Sequence, residues 1–440
     1  MPDHATPAES WAPTRALGRA VLLTGLLILL GVLLGRLDLV AVATPFALSV
    51  AWGLRRQPTR APTVDIALPA EAAAEGRDIG AVVRVGNPNP VGFDLAVARL
   101  VHSPWLRLVH GDRPYGMDLS SGQATEIELA GAALRWGHHA VGPALVYAVA
   151  CDGLLLSALA VTAGGDVRVH PVMPPFRADE TMPRSSALVG IHRSRRPGEG
   201  GELAGVRRYG PGDKLRRVDW RVTLRTRELH VAHTLSDRDA EVVVLLDVLH
   251  EAGRSGGIHG AASVVDTTVR AAAAIADYYL RQGDRVAMLE YSGHPRHLRA
   301  ASGRAQLQAA LEWLMHTRST AGAGDPPVFG IEPHLIPGSA LVVVLTPMLG
   351  PQSADMIATL ARAGRVVVAV DTLGELARRP INGSQWTSLA QRLWRLERDN
   401  TIGQLREVGV PVAAWAGAGT LDEVLRDMTR MAAAPRLDIR

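Results

Sequence analysis

The sequence predicts three folded parts in one chain: a two-helix membrane hairpin, an antiparallel β-sandwich domain and an α/β doubly wound domain. Two apolar runs lie close together near the N-terminus. Next come short segments in which apolar and polar residues alternate, separated by Gly, Pro and Asn. This pattern is typical of antiparallel strands. From residue 241 onwards, apolar strand-like runs alternate with helix-like segments. This last pattern is typical of a parallel sheet covered by helices.

The predicted hairpin consists of two apolar runs separated by a short polar break. Residues 20–34 carry no charge, and small flanking residues extend this run to the roughly 20 residues that cross a bilayer. Residues 39–54 contain Pro45, which membrane helices tolerate. We predict spans at about 16–35 and 38–54. A secretory signal peptide is the alternative interpretation of the first run, but the second run directly behind it argues against a leader.

The arginines around the hairpin predict its orientation. They lie mainly at the two ends that join the rest of the chain: Arg15, Arg19, Arg55, Arg56 and Arg60, with Arg36 at the tip. Because short cytoplasmic segments carry an excess of Lys and Arg, we expect the N-terminus and the soluble domains to face the cytoplasm. The single cysteine, Cys151, is consistent with a reducing compartment.

Changes in composition predict the domain boundaries: an N-terminal tail and transmembrane hairpin (1–57), a β-sandwich-like domain (58–175), an Arg-rich segment (176–240) and an α/β domain (241–435). In the last of these we predict five strands separated by helices. Its first strand, EVVVLLD, is apolar throughout and ends in an acid, as buried parallel strands do. Ligands of such sheets bind at the carboxyl ends of the strands, so we expect any functional side chains to lie at those ends.

Charge and motifs exclude several classes of function. The net charge of the chain is +4 and only 4% of residues are aromatic, so we expect no nucleic acid partner that stacks its bases on the protein. The sequence contains no GxxxxGK[ST], HExxH or CxxC motif. Phosphate-binding loops and zinc sites of the common kinds are therefore not indicated. We predict no cofactor, no bound metal and no catalytic residue.

The basic excess is local. Residues 193–227 contain eleven Arg or Lys and four Asp or Glu, a net charge of +7. These charges surround a Pro-Gly-Asp turn, and Trp220 follows as a large apolar anchor. Arginine forks favour bidentate pairing with carboxylates. We expect local ion pairs in which Arg207 or Arg216 binds Glu202, Asp213 or Asp219. This composition favours an ordered brace between domains over a flexible tail.

The Arg-rich segment resembles the signature of a bacterial family known as domain of unknown function 58. The resemblance rests on the pattern Tyr-x-Pro-Gly-Asp-x-x-Arg-x-Val-Asp-Trp followed by Arg-Thr, and it extends over most of the chain. The signature positions are Gly201, Glu202, Arg207, Tyr209, Pro211, Gly212, Asp213, Arg216, Asp219, Trp220 and Arg225. Lys214 departs from the pattern, since the family usually has a second acid there. The resemblance implies a membrane hairpin, a β domain and a von Willebrand factor A-like α/β domain, in proteins commonly encoded beside MoxR-type AAA+ ATPases.

The same resemblance draws attention to the turn after the first α/β strand. In von Willebrand factor A-type domains this turn reads Asp-x-Ser-x-Ser and holds a divalent cation. Here it begins at Asp247, but Leu249 and Glu251 occupy the serine positions, and Pro347 follows a later strand where an Asp is usual. Leucine and proline offer no side-chain oxygen for a hard cation. We therefore interpret this as a degenerate metal site, with Glu251 the one remaining candidate ligand beside Asp247.

The leading hypothesis is a non-enzymatic, membrane-anchored adaptor or scaffold. The resemblance implies a MoxR-type ATPase as its partner, in the assembly or maturation of cell-envelope complexes at the bacterial inner membrane. One alternative is that the Arg-rich segment binds anionic lipid or nucleic acid. A further alternative is a hydrolase that uses Asp247, His250 and Glu251. The oligomeric state cannot be predicted from the sequence.

Overall fold

The computed structural model describes residues 11–173, 197–210, 218–235, 241–319, 331, 335–338, 340–374 and 385–415. The chain divides into two compact units, Met1–His170 and Pro171–Arg440.

The first unit begins with the helical hairpin, α1 (Arg15–Leu33) and α2 (Leu37–Arg55). Gly31 lets the two helices approach closely, because a Cβ there would lie 2.7 Å from Cγ2 of Val40. By length and composition both helices could cross a membrane, and few of their residues are buried within the protein. The two predicted apolar helices are thus confirmed, within two residues of the expected ends.

Twelve strands make up the rest of this unit. In chain order they are β1 (Trp11–Pro13), β2 (Thr63–Ala67), β3 (Ala73–Ala74), β4 (Asp78–Gly86), β5 (Phe93–His102), β6 (Leu106–Leu108), β7 (Tyr115–Leu119), β8 (Ala124–Ala133), β9 (Gly137–Ala150), β10 (Leu155–Ser157), β11 (Ala160–Thr162) and β12 (Gly165–His170). One sheet has the order β2-β4-β8-β6. The other has eight strands, with β1-β10-β9-β12-β3 along its main path and β11, β5 and β7 joined through β9 and β5.

The two sheets share one hydrophobic core. Alternate residues of β4 and β5 are buried in it, as the alternating sequence pattern predicts for strands with one solvated face. The prediction of purely antiparallel pairing is wrong at one place, since β3 pairs with β12 in parallel. These two short strands lie about a hundred positions apart in the sequence, and no turn between them signals the pairing.

The β1 strand ties the start of the hairpin to this domain. β1 pairs antiparallel with β10, and the indole N–H of Trp11 donates to the carbonyl of Arg60 at 3.2 Å. The Thr14 hydroxyl accepts from the amide of Leu17, which caps α1, and donates to the carbonyl of Gly153 at 2.7 Å. The segments before and after the hairpin are therefore both fixed to the β domain.

The described residues of the second unit form a two-stranded sheet and a six-stranded sheet. Its elements are β13 (Pro197–Arg208), α3 (Trp220–Thr226), β14 (His230–Leu235), β15 (Glu241–Asp247), α4 (Val264–Gln282), β16 (Arg285–Tyr291), β17 (His297–Ala301), α5 (Arg304–Met315), β18 (Ala340–Thr346), α6 (Pro351–Arg362), β19 (Val366–Asp371), α7 (Gln385–Glu407) and β20 (Val412–Ala414). β13 and β14 pair antiparallel.

The six-stranded sheet has the order β17-β16-β15-β18-β19-β20. All neighbours are parallel except β17, which runs antiparallel to β16 at the edge. Every residue of β18 is buried, so helices cover both faces of the sheet centre. The five predicted parallel strands are present, but β17 was not predicted, because it is a short alternating strand without an apolar run. The strand order reverses between β15 and β18, and folds of this kind bind their ligands at the carboxyl ends of the strands at such a point.

Candidate functional site at the strand ends

The carboxylate of Asp247 is the centre of a buried polar cluster at the end of β15. Asp247 is only 1% exposed. One carboxylate oxygen, Oδ2, accepts hydrogen bonds from the Thr346 hydroxyl and from the Ser353 hydroxyl, both at 2.6 Å. The other oxygen, Oδ1, accepts from the amide of Leu249 at 3.3 Å. Donors of the protein itself therefore bind both oxygens that a cation would use.

Leu249 and Pro347, two further positions of the degenerate metal site, contribute no ligand oxygen from their side chains. Leu249 is 1% exposed and belongs to the hydrophobic core beneath the sheet. Pro347 offers its backbone carbonyl, which accepts from Nη2 of Arg398 at 3.1 Å. Both positions are thus used for packing or for a hydrogen bond within the protein.

The side chain of Glu251, the remaining candidate ligand, binds the N-terminal end of helix α4. Its Oε1 accepts from the backbone amide of Val265 at 3.3 Å, in the first turn of α4. Ser263 and Asp266 form a capping box at the same helix start. Negative groups stabilise a helix N-terminus, so this contact of Glu251 has a structural explanation. Among the residues that the structure describes, no group of three or more His, Cys, Asp or Glu side chains is arranged to hold a metal.

Asp371, at the end of β19, forms a second buried charge site. Its Oδ1 accepts from the amide of Leu373 at 2.9 Å and from Nη2 of Arg398 at 2.6 Å. Both members of this ion pair are buried. Arg398 was not predicted from the sequence as the partner of Asp371. A signal was available, since Arg398 and the buried Leu405 are seven positions apart and lie on one face of α7.

Burial makes the charge of Asp247 dependent on pH. Its pKa lies above the ordinary value of 3.8 because burial penalises the carboxylate, although hydrogen bonds from Ser353, Thr346 and the Leu249 amide oppose that shift. A raised folded-state pKa gives stability that is present below the unfolded pKa and is lost as pH rises through the folded value.

An Asp247→Asn variant keeps an acceptor for the two hydroxyls and cannot ionise. We expect its melting temperature to rise relative to that of the wild type as the pH is raised from about 4 to 7. Paired thermal denaturation curves across this range would measure the difference. A difference that does not change with pH would contradict the prediction.

The described residues of the Arg-rich segment include β13, α3 and β14. Asp219 is the N-cap of α3, since its Oδ1 accepts from the amides of Arg221 and Val222 at 3.0 and 3.2 Å. This helix-capping role was not predicted, because Asp219 was assigned to an arginine pair. The ion pair that the structure describes here joins Arg208 to Glu228 at 2.9 Å, with both side chains exposed.

The remaining signature residues have varied placements. The prediction of Trp220 as an apolar anchor is wrong, because its side chain is 63% exposed at the start of α3. Arg207 donates to the carbonyl of Arg208, Tyr209 donates its backbone amide to Leu229, and Arg225 lies in the last turn of α3. Gly201 and Glu202 lie in β13, where only the backbone is described, and four positions lie outside the described residues: Pro211, Gly212, Asp213 and Arg216. The brace between domains stays a prediction.

Comparison with known proteins identifies the family. The model of a family described as "Protein of unknown function DUF58" matches residues 205–379. The uncharacterized proteins Mb1516 of Mycobacterium bovis and Rv1480 of Mycobacterium tuberculosis are each 30% identical over 261 residues, covering 57% of this chain and 74% of the relative. The chain belongs to the DUF58 family. The DUF58 match runs from the end of β13 beyond β19, so it includes the signature positions from Arg207 onwards and both strand-end acids.

Solved structures give no comparable information. A part of native alpha-2-macroglobulin from Escherichia coli is 20% identical, with a TM-score of 0.22 over 26% of this chain and 17% of that one. The CARDB domain of the PF1109 protein from Pyrococcus furiosus is 16% identical, with a TM-score of 0.19 over 26% of this chain and 94% of that domain. Scores this low support no conclusion about the fold or function of this DUF58 protein.

Proposed function

We propose that this DUF58 protein is a non-enzymatic, membrane-anchored adaptor that binds another protein through its α/β domain. The doubly wound sheet order supports the von Willebrand factor A-like architecture that the resemblance implies. The proposed partner is a MoxR-type AAA+ ATPase, on the basis of the resemblance alone. The proposed location is the bacterial inner membrane, with the N-terminus and soluble domains in the cytoplasm, on the basis of the arginines that flank α1 and α2.

One observation carries the proposal: the strand ends are closed by side chains of the protein itself. Thr346 and Ser353 bind the Asp247 carboxylate, and Arg398 binds Asp371. A substrate or cation that approached these acids would have to displace donors that are already well placed. This arrangement favours a structural role for the two acids over a catalytic one.

A second observation supports binding of a protein partner. The helix α7 has an outer stripe of large apolar side chains that are exposed to solvent: Trp386, Leu389, Leu393 and Leu396. Their spacing of three, four and three places them on one face of the helix, opposite the buried Arg398. Exposed apolar patches of this kind often mark sites of protein–protein interaction. The outer stripe is therefore the proposed docking surface for the ATPase.

The central experiment is purification of the tagged full-length protein from membranes in a mild detergent, with and without ATP. We expect a MoxR-type ATPase to co-purify in at least one of the two conditions. Mass spectrometry of the eluate would identify it. If no ATPase co-purifies in either condition, the proposed adaptor role is contradicted.

The outer stripe allows a sharper test with a matched control. We expect Leu393→Glu, whose side chain is 60% exposed, to reduce the recovered ATPase at least tenfold, since a buried interface carboxylate without a partner costs several kcal/mol. Ser388→Glu adds the same charge at an exposed position of the same helix that is not three or four residues from any residue of the stripe, and should leave recovery unchanged. Equal recovery with both variants would show that the stripe is not the docking surface.

A further inference from the structure

A groove lies at the foot of the hairpin, where the last turns of α2 meet the turn between β9 and β10. Its volume is about 600 Å³. Its walls combine apolar, aromatic and charged side chains: Leu48, Ser49, Ala51, Trp52, Arg55 and Asp152. The groove adjoins the end of an apolar helix that is long enough to cross a bilayer. In the proposed arrangement it lies at the level of the lipid headgroups.

The two walls of the groove are held in a fixed relation. Gly53 of α2 packs on the turn so closely that a Cβ there would lie 3.1 Å from Cδ1 of Leu154 and 3.4 Å from the carbonyl of Cys151. The turn is fixed in addition by the amide of Gly153, which donates to Oδ2 of Asp94 at 3.0 Å. These contacts fix the backbone of the two walls relative to each other.

The charges of the groove are complementary to a zwitterion. Arg55 and Asp152 both line it and are both exposed, and within the described part of the chain no ion pair joins them. Trp52 lies three positions before Arg55 on α2, and the guanidinium of Arg56 lies 5.5 Å from its ring centroid. Tryptophan is enriched at the interface between membrane and water. A ligand that carries both a cation and an anion would pair with both charges.

We propose that this groove binds a bilayer phospholipid of the ethanolamine class. Arg55 would bind the lipid phosphate, Asp152 would accept hydrogen bonds from the primary ammonium, and Leu48, Ala51 and Trp52 would contact the glycerol and upper acyl region. A choline headgroup has no N–H to donate to Asp152. A glycerol headgroup has no cation for Asp152 to bind. The proposal rests on the membrane placement of the hairpin and is independent of the ATPase partner.

Lipid selectivity of the full-length protein in detergent tests this proposal. Phosphatidylethanolamine, phosphatidylcholine and phosphatidylglycerol with identical acyl chains would be added separately, and native mass spectrometry would measure the bound fraction. We expect about a tenfold preference for the ethanolamine lipid over the choline lipid, since a hydrogen bond to a charged group contributes about 1.5–3 kcal/mol. Asp152→Asn should abolish this preference, whereas Arg55→Gln should weaken the binding of both lipids, because both carry the phosphate. Asn tolerates the positive φ of 54° at position 152.

Arg36→Gln is the matched control, because Arg36 lies at the other end of the hairpin, where it pairs with Asp38. It should leave the preference intact. Equal binding of the ethanolamine and choline lipids would overturn the proposal, as would a preference for phosphatidylglycerol or a preference that survives in Asp152→Asn. Recovery of the protein in the soluble fraction of cells would overturn the membrane placement as well, whereas co-purification of the ATPase tests the adaptor role separately.

Discussion

Arg398→Met is expected to lower the free energy of unfolding of the α/β domain by about 3–5 kcal/mol. The substitution keeps most of the side-chain volume but removes the partner of the buried Asp371 carboxylate, which would remain charged inside the domain. It also removes the donor to the carbonyl of Pro347. Thermal proteolysis of the full-length protein, followed through peptides of β18 and β19, would measure the loss. A change of this size shifts the midpoint by about 6–20 °C in a domain of roughly 200 residues.

Arg392→Met serves as the control, because Arg392 lies on the same helix but is exposed. Its effect should stay within about 0.5 kcal/mol. A double variant, Arg398→Met with Asp371→Asn, should recover part of the stability, since it no longer buries an unpaired charge. If Arg398→Met and Arg392→Met unfold at the same temperature, the ion pair does not stabilise the domain.

Asp247→Ala is expected to cost about 2–4 kcal/mol, because it leaves the hydroxyls of Thr346 and Ser353 without their shared acceptor in a buried site. The amide of Leu249 loses its acceptor as well. Part of this cost is offset, since the buried carboxylate itself is desolvated. The same thermal proteolysis assay would report it through peptides of β15.

Asp355→Ala is the comparison for this variant. Asp355 is exposed on α6, two positions after Ser353, so its removal tests the loss of a nearby carboxylate without the loss of a buried acceptor. We expect little change in its unfolding midpoint. If the unfolding midpoint of Asp247→Ala equals that of Asp355→Ala, the polar cluster makes no net contribution to stability.

The parts of the fold that could be predicted are those with a strong local pattern. EVVVLLD became the central strand β15 because an unbroken apolar run that ends in an acid fits a strand covered on both faces. The edge strand β17 and the parallel pairing of β3 with β12 were missed, since short strands are defined by their neighbours and not by their own residues.

The candidate site could be predicted only at its centre. Asp247 was identified because strand ends are where such sheets place functional side chains. Thr346 and Ser353 were missed, since they are 99 and 106 positions away in the sequence and carry no motif. Trp220 was predicted as an anchor from its size, but the short helix α3 exposes it. In each case the sequence indicates the residue type, and the tertiary contacts decide its role.

The antiparallel pairing of β1 with β10 has a consequence for how the protein would sit in a bilayer. Trp11 precedes the hairpin and Ser157 follows it by a hundred positions, yet the two are strand neighbours. If α1 and α2 both cross the lipid, the N-terminus and the body of the first unit must then emerge on the same side, whatever the distribution of charge. The β domain is also attached to the hairpin at two points, through Trp11 and through the end of α2. It therefore cannot rotate freely relative to the membrane, as a domain on a single linker would.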